Sequence, residues 1–82
     1  MDTTGDAKEI EPIHRMVGAR IEHMRSMLGW TQEQLSEKVG ELSRSSIANI
    51  EGGKQRLLLD DIERFARAFN CSPKALLRGI WT

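Results

Sequence analysis

The sequence predicts an all-α protein, a compact bundle of five short helices in one domain. Its 82 residues provide enough apolar surface for one small core. Apolar residues recur three or four positions apart, whereas Val, Ile and Thr never alternate with the period of two that is typical of strands. Short connections and the lack of a sustained heptad favour an orthogonal bundle over a long coiled coil.

The first predicted helix runs from Ile13 to Leu28. Pro12 suits its first turn, where the missing N–H costs little, and Gly29 is a typical stop. Gly18 costs about 1 kcal/mol against alanine inside a helix, and close approach of another helix is one explanation for it. The apolar stripe of this helix consists of Ile13, Val17, Ile21, Met24 and Leu28.

The second and third predicted helices form a close pair with a polar cap at each start. Thr31 and Gln34 fit a capping box, and Trp30 with Leu35 fits the hydrophobic staple around it. Ser43 is the expected N-cap of the third helix. Glycines follow both helices and are expected to end them.

The fourth predicted helix covers Leu59 to Phe69. Asp60 and Asp61 lie in its first turn, where the helix dipole favours acids. Ser72-Pro73 then supplies an N-cap and an N1 proline for a short fifth helix.

Several residue types that often mark functional sites have structural explanations here. Met16, Met24 and Met27 are expected to fill the core or its edge. Cys71 is expected to be a small buried apolar residue. His14 and His23 lie on the first helix and are expected to be surface residues.

The formal net charge of zero combines two segments of opposite sign. Residues 1–12 contain Asp2, Asp6, Glu9 and Glu11 against Lys8, a net charge of −3. Residues 13–82 therefore hold eleven basic and eight acidic side chains, a net charge of +3. We predict a flexible acidic tail over residues 1–11 and a folded domain over residues 12–82, whose charge permits a nucleic-acid partner.

Composition argues against several classes of function. One cysteine excludes an internal disulfide framework, and two histidines without ligand spacing predict no metal site. No paired-carboxylate cleft, phosphate loop or nucleophile–base pair is present, so we expect no enzymatic activity, no cofactor and no small-molecule substrate. No apolar run matches a membrane span and no signal peptide is present, which predicts a cytoplasmic protein.

The segment from Thr31 to Arg56 carries the functional signal. Two short helices with a tight turn between them fit a helix-turn-helix. The third helix has short polar side chains on its outer face, Arg44 in its first turn and a basic loop after it. A helix that enters the DNA major groove end-on needs side chains that reach base edges and flanks that meet phosphates.

Several motifs follow one another in a fixed order along the chain. They are Arg20-Ile21 with Met24-Arg25, Trp30 to Leu35, Ser43 to Glu51, Gly53 to Arg56, and Asn70 to Pro73 after an alanine–aromatic helix. With this set, the sequence resembles the XRE/Cro/lambda-repressor-like family of bacterial and phage regulators from about Val17 to Leu77. The resemblance implies a five-helix, lambda-repressor-like DNA-binding domain that has its helix-turn-helix at helices two and three and usually acts as a dimer.

The resemblance also implies that Arg44, Ser45 and Asn49 read bases. Arginine offers two donors to guanine O6 and N7, and asparagine pairs with adenine N6 and N7, each pair discriminating by about 1–3 kcal/mol. The alternative for Arg44 and Asn49 is a solvated surface role, although an arginine in a first turn opposes the helix dipole.

Phosphate contacts are expected on both flanks of the third helix, including the start of helix two, where free amides and the helix dipole favour anions. The resemblance further assigns Arg25 and Glu51 to a buried ion pair that fixes the angle of the third helix. The expected phosphate-binding residues are Thr31, Gln32, Ser43, Ser46, Lys54, Gln55 and Arg56.

Three features depart from the family pattern. Glu41 adds one residue to the turn before the third helix, which leaves the tilt of that helix open. Ser36 stands where alanine is common, and a leucine stands where proline is usual before helix four. The run Leu57-Leu58-Leu59 is expected to be exposed and favours a partner surface. The candidate dimer surface is Leu57, Leu58, Leu77, Ile80 and Trp81.

The sequence thus predicts a sequence-specific double-stranded DNA-binding transcription regulator, a repressor that binds a pseudo-palindromic operator as a homodimer and associates with the nucleoid. An antitoxin or restriction-modification controller with the same DNA-reading helix is the alternative within DNA binding, and a toxin or RNA polymerase is then a further partner. A protein-interaction adaptor that uses the leucine run is the alternative from another class.

Overall fold

The computed structural model of the protein describes residues 10–80, and this part is all-helical, as the sequence predicts. No strand occurs within residues 10–80, and no helix there is both long and apolar enough to cross a membrane. The predicted flexible tail lies largely outside the described residues, as does Trp81. The helices are α1 (Pro12–Met27), α2 (Gln32–Val39), α3 (Arg44–Glu51), α4 (Leu59–Ala68) and α5 (Pro73–Leu77).

Local capping chemistry sets three of the helix starts. The Thr31 hydroxyl accepts from the Gln34 N–H at 3.0 Å, and the Gln34 side chain accepts from the Thr31 N–H at 2.8 Å, which confirms the predicted capping box. Ser43 and Ser72 accept from the N–H groups three residues ahead, both at 3.1 Å. Such caps each stabilise a helix by about 1 kcal/mol.

One core joins all five helices. Each helix contributes at least one side chain that is fully buried, and burial of each such side chain stabilises the fold by about 1.5–3 kcal/mol. The fully buried side chains are Ile21 of α1, Leu35 of α2, Ile47 and Ile50 of α3, Phe65 of α4 and Leu76 of α5.

Gly18 marks a close approach of α1 to α3. A Cβ atom at this position would overlap the carbonyl oxygen of Ile50 and lie 3.0 Å from its carbonyl carbon. Both atoms belong to the backbone of α3, so no rotation of a side chain can relieve the overlap. The sequence left the reason for this glycine open, and the structure supplies it.

The apolar stripe of α1 ends earlier than the periodicity predicts. Because the helix ends at Met27, Leu28 leaves the stripe and is 51% exposed. Met27 and Met16 are also exposed, so the prediction that they fill the core or its edge is wrong. For Met24, which packs against the core, the prediction is confirmed. Met16 and Met27 lie to one side of the stripe by helical spacing, and Leu28 follows the last residue of α1, so none of the three faces the core.

His14 has a structural role that the sequence did not reveal. Its Nδ1 accepts a hydrogen bond from the Leu57 N–H at 3.0 Å, and its side chain is only 21% exposed. The expectation of a surface histidine is therefore wrong. The same bond draws the backbone of Leu57 against α1, and the Leu57 side chain is buried in the core.

The N-cap of α4 is a leucine, whose side chain cannot accept a hydrogen bond, and an aspartate one turn into the helix accepts one instead. The N-cap residue is Leu58, and its N–H donates to Asp61 Oδ2 at 2.9 Å. Arg64 donates to Asp61 Oδ1 at 3.0 Å, so both oxygens of this buried carboxylate are bonded. This arrangement holds the start of α4 without the usual proline.

Two long-range contacts fasten the C-terminal helices. Arg20 donates from α1 to the carbonyls of Ala75, Leu76 and Arg78 at 3.4, 3.3 and 2.7 Å, and thereby caps α5. The ring of Trp30 stacks on Phe69, with centroids 5.8 Å apart and planes 6° apart. This stacking ties the α1–α2 connection to the end of α4.

Candidate nucleic-acid interface

The third helix, α3, has two faces with different chemistry. Ile47, Ile50 and Glu51 are buried against the rest of the bundle. Ser45 and Asn49 lie on the opposite side of the helix, and Arg44 is its first residue; all three are exposed. A helix fixed along one side by core contacts presents its other side in a constant orientation, which a base-reading helix requires.

The exposed side chains of α3 have no internal polar partner in the part of the chain that the structure describes. Within residues 10–80, the side chains of Arg44, Ser45 and Asn49 make no hydrogen bond or ion pair. Their donors and acceptors therefore face solvent, at the leading end of α3 and one turn along it. The structure leaves all three predicted base-reading residues exposed, with Ser45 and Asn49 neighbours on the outer side of α3 and Arg44 at its start.

Arg25 and Glu51 join α1 to the end of α3. Arg25 Nε and Nη2 donate to the two Glu51 carboxylate oxygens at 2.7 and 3.0 Å, a bidentate ion pair. Arg25 Nη1 also donates to the Trp30 carbonyl at 2.7 Å. The hydrogen bonds to Glu51 raise the pKa of Arg25 above its ordinary value, against the opposing effect of burial. With Glu51 only 4% exposed, this pair fixes α3 from within.

The start of α2 is linked to the same carboxylate. The Gln32 side-chain amide donates to Glu51 Oε1 at 3.0 Å, which leaves its second amide hydrogen for another acceptor. The Thr31 hydroxyl is engaged in its cap. On α3, Ser43 caps Ser46, and the two hydroxyls are 3.4 Å apart. These four residues line the start of α2 and the start of α3.

The turn between α2 and α3 contains the extra residue Glu41. The Ser36 hydroxyl donates to the Leu42 carbonyl in this turn at 2.6 Å. The Glu41 carboxylate lies 3.7 Å from Arg64 of α4. The serine that replaces the usual alanine thus bonds the lengthened turn to α2, a function that the sequence comparison did not suggest.

The loop after α3 carries Lys54, Gln55 and Arg56. The Lys54 N–H donates to the Asn49 carbonyl at 2.8 Å, which holds the loop against the end of α3. Arg15 of α1 lies beside this loop, because its side chain occupies the space that a Cβ on Gly53 would enter. Arg15 therefore adds a positive charge near the loop that only the fold reveals.

Arg56 is paired with an acid from the start of the chain. Its Nε donates to Glu11 Oε1 at 2.8 Å and its Nη2 to Glu11 Oε2 at 3.4 Å. The bond to Arg56 is the largest cause that lowers the pKa of Glu11 below its ordinary 4.5. Because the folded pKa lies below the ordinary value, the charged pair is present at neutral pH and is lost as the pH falls through the folded value.

Leu58 and Leu59, which we call the leucine face, lie at the start of α4. Only part of this face belongs to the predicted dimer surface. Leu58 and Leu59 are 65% and 88% exposed, beside an apolar groove lined by Ile13, Val17 and Ile62. Leu57 is buried, so its predicted exposure is wrong. Leu77 and Ile80 are half-buried against the core, and Trp81 lies outside the described residues.

Between residues 10 and 80, no three His, Cys, Asp or Glu side chains are grouped so that they could hold a metal ion. Cys71 is half-buried at the edge of the core.

Comparison with known proteins identifies the family. A sequence model of the family described as "Helix-turn-helix domain" matches residues 18–80. The chain belongs to the XRE-type helix-turn-helix family of transcription regulators. One XRE-type relative is the competence pilus inhibition repressor of Acinetobacter baylyi, 39% identical over 56 residues, which are 68% of this chain and 50% of that protein. The chain therefore spans half the length of that relative.

Solved structures share the fold of this XRE-type domain. The restriction-modification controller protein C.AhdI from Aeromonas hydrophila has a TM-score of 0.71 and 30% identity, covering 78% of this chain and 94% of that chain. The clp gene regulator ClgR from C. glutamicum has a TM-score of 0.74 and 22% identity, covering 82% of this chain and 87% of that chain. The second likeness is one of fold.

Proposed function

We propose that this protein is a sequence-specific double-stranded DNA-binding repressor. The proposal rests on α3, where Arg44 at the start and Ser45 and Asn49 on the outer side are exposed while the inner side is held in the core. Arginine and asparagine are the side chains whose paired donors and acceptors match guanine and adenine edges in the major groove. Ser45 is compatible with a base, a phosphate or a bridging water.

Phosphate contacts on both flanks would set the register of α3. We assign them to Thr31 and Gln32 at the start of α2, Ser43 and Ser46 at the start of α3, and the loop residues Lys54, Gln55 and Arg56. The free N–H groups at the start of α2 favour an anion, and the second amide hydrogen of Gln32 is available to it. The bond from Gln32 to Glu51 would couple the position of that phosphate to the position of α3.

The repressor role and the controller role are supported by different relatives. The 39% identical relative is named a repressor, and the 30% identical solved structure is a restriction-modification controller. Both roles fit the same DNA-reading helix. Expression of a reporter behind the selected DNA site distinguishes them: a repressor lowers expression at every protein concentration, whereas a controller that activates raises it over some range.

A homodimer on a pseudo-palindrome is the assembly that we propose. Leu58 and Leu59 are large apolar side chains exposed beside an apolar groove, an arrangement that a two-fold contact would bury on both copies at once. Sedimentation across concentration tests this assembly, and a strict monomer at tens of micromolar, alone and on DNA, would refute it. An adaptor that binds protein through the same face is distinguished by salt, since apolar contacts change little where phosphate contacts weaken steeply.

Selection of bound duplexes from a random pool at two salt concentrations tests the proposed function. We expect one enriched sequence with dyad symmetry and half-sites about one helical turn apart. Enrichment should survive the higher salt better than total binding, because base contacts release fewer counterions than phosphate contacts. A pool that remains random at low salt would refute sequence-specific DNA binding.

Arg44→Ala is expected to remove discrimination at one guanine in each half-site, at a cost of about 1–3 kcal/mol on the selected sequence. Binding to unrelated duplexes should persist, because the phosphate contacts remain. Dissociation constants on the selected duplex and on single-base variants of it measure this. An equal loss on every sequence would assign Arg44 to phosphate instead.

Arg56→Ala is expected to weaken binding to all duplexes alike. Loss of one phosphate contact should make the slope of log K against log salt shallower by about one. Gln55→Ala is the neighbouring control without a charge change, and it should leave that slope unaltered. A change of base preference in the Arg56 variant would contradict a phosphate role.

A further inference from the structure

The Glu11–Arg56 pair occupies the same donors that a DNA phosphate would use. Arg56 donates from Nε and Nη2 to the two oxygens of one carboxylate, at 2.8 and 3.4 Å. A phosphate accepts from the same edge of a guanidinium with the same two-pronged geometry. The carboxylate and a phosphate cannot both use this edge at once.

We propose that Glu11 is an intramolecular competitor of DNA, whose carboxylate must leave Arg56 before a phosphate can bind there. The inference rests on the proposed function, because it needs the loop after α3 to meet the DNA backbone. It goes beyond that function by assigning the start of the chain a role in setting affinity for DNA.

The pair is accessible enough to exchange its acid for a phosphate. The Arg56 and Glu11 side chains are 44% and 58% exposed, unlike the Arg25–Glu51 pair beneath α3. Ion pairs at this exposure are screened by solvent and add little to folding stability. Glu11 makes no side-chain cap to α1, so this helix does not depend on its carboxylate.

The charges around the pair favour competition over mere positioning. Lys54 and Arg56 lie in the loop, and Arg15 lies against Gly53 of the same loop. Glu11 is the acid that bonds to this basic group within residues 10–80, and His14 Nε2 lies 3.7 Å from its carboxylate. A negative charge held there both blocks Arg56 and repels an approaching phosphate.

Glu11 lies near the end of a strongly acidic segment of the sequence. Residues 1–12 carry a net charge of −3, whereas residues 13–82 carry +3. The attachment of Glu11 to Arg56 brings the end of this acidic segment to the basic loop. Acidic residues beside a phosphate-binding loop lower affinity for every duplex, whatever its base sequence.

Glu11→Gln tests the proposal in the full chain. We expect about three- to tenfold tighter binding to specific and unrelated duplexes alike at low salt, and a salt slope steeper by up to about one. The matched control is Glu63→Gln, which also removes one negative charge from a surface pair, the one with Arg67 on α4. That control should leave affinity within a factor of two of wild type.

The double variant Glu11→Gln, Arg56→Gln assigns the effect to the pair. If Glu11 acts by blocking Arg56, the double variant should bind duplexes at most slightly more tightly than the single variant Arg56→Gln. Unchanged or weaker binding by Glu11→Gln would overturn the proposal, and so would an equal gain in Glu63→Gln. If wild type binds duplexes and Glu11→Gln binds no more tightly, this inference alone is overturned. If neither wild type nor any variant binds a duplex, the proposed function is overturned as well.

Discussion

Arg25→Met is expected to destabilise the protein by about 3–5 kcal/mol, the largest loss among the single changes considered. Methionine keeps much of the length and apolar stem of arginine but leaves the Glu51 carboxylate buried with Gln32 as its remaining side-chain donor. A buried charge that has lost its partner carries the full cost of its removal from water. Urea unfolding followed by circular dichroism measures the change as a shift in midpoint at constant slope.

Two further variants separate the ion pair from general effects of charge. Arg67→Met removes an arginine from an exposed pair with Glu63 at 3.9 Å and should cost at most about 1 kcal/mol. Arg25→Met combined with Glu51→Leu removes both buried charges and should recover most of the lost stability. A single-variant loss below about 1 kcal/mol would contradict the role of the pair in holding the fold.

The same double variant shows what the ion pair contributes to binding. If the pair fixes the angle of α3, the refolded double variant should bind the selected duplex more weakly than wild type while it retains binding to unrelated duplexes. Buried ion pairs often contribute orientation rather than net stability. Unaltered specificity in a stable double variant would show that apolar packing alone sets that angle.

Gly18→Ala is expected to destabilise the protein by about 3 kcal/mol, at the upper end of the cost of overpacking. Alanine is the better helix former by about 1 kcal/mol, so propensity alone predicts the opposite sign. The overlap with the Ile50 carbonyl decides the outcome, because two backbones must move apart to accept one methyl group. Since Ile50 belongs to α3, the variant should also lose specific DNA binding.

The control for Gly18→Ala is Ala19→Gly, at the next position on the exposed side of α1. That change should cost about 1 kcal/mol through helix propensity alone and should leave DNA binding intact. Thermal unfolding of the two variants beside wild type measures both effects. A Gly18→Ala protein that is more stable than wild type would show that α1 and α3 do not approach as closely as described.

Features that depend on a few neighbouring residues could be predicted from the sequence. The capping box at Thr31 and Gln34 and the caps at Ser43 and Ser72 lie within windows of four residues, and the structure confirms them. The five helices and their order follow from these caps and from apolar periodicity. Such signals do not depend on how the rest of the chain folds.

Features that depend on distant partners could not be predicted in the same way. Leu57 looked like part of an exposed leucine run, but His14, 43 positions earlier, draws it into the core. Arg20 caps α5 from more than 50 positions away. Leu28 illustrates another cause of error, because periodicity does not reveal where neighbouring helices stop covering a face.

The candidate site also combines local features, which the sequence reveals, with long-range contacts, which it does not. The polar face of α3 is evident from the spacing of Ile47 and Ile50, whereas the Arg25–Glu51 pair was expected only through the family resemblance. The pairing of Glu11 with Arg56 joins residues 45 positions apart and has no sequence signature. Long-range ion pairs of this kind are set by how the chain ends and loops meet, and only the fold brings them together.

The proposed function requires that the exposed side chains of α3 contact the bases of a DNA duplex. The most direct test is the change in backbone amide NMR shifts when the labelled protein is titrated with its selected duplex. We expect the largest shift changes from Ser43 to Asn49 and from Lys54 to Arg56. At Leu58 and Leu59 we expect only the small changes that contact with a second copy of the protein would cause. Changes confined to the leucine face, or none at low ionic strength, would contradict the proposed function.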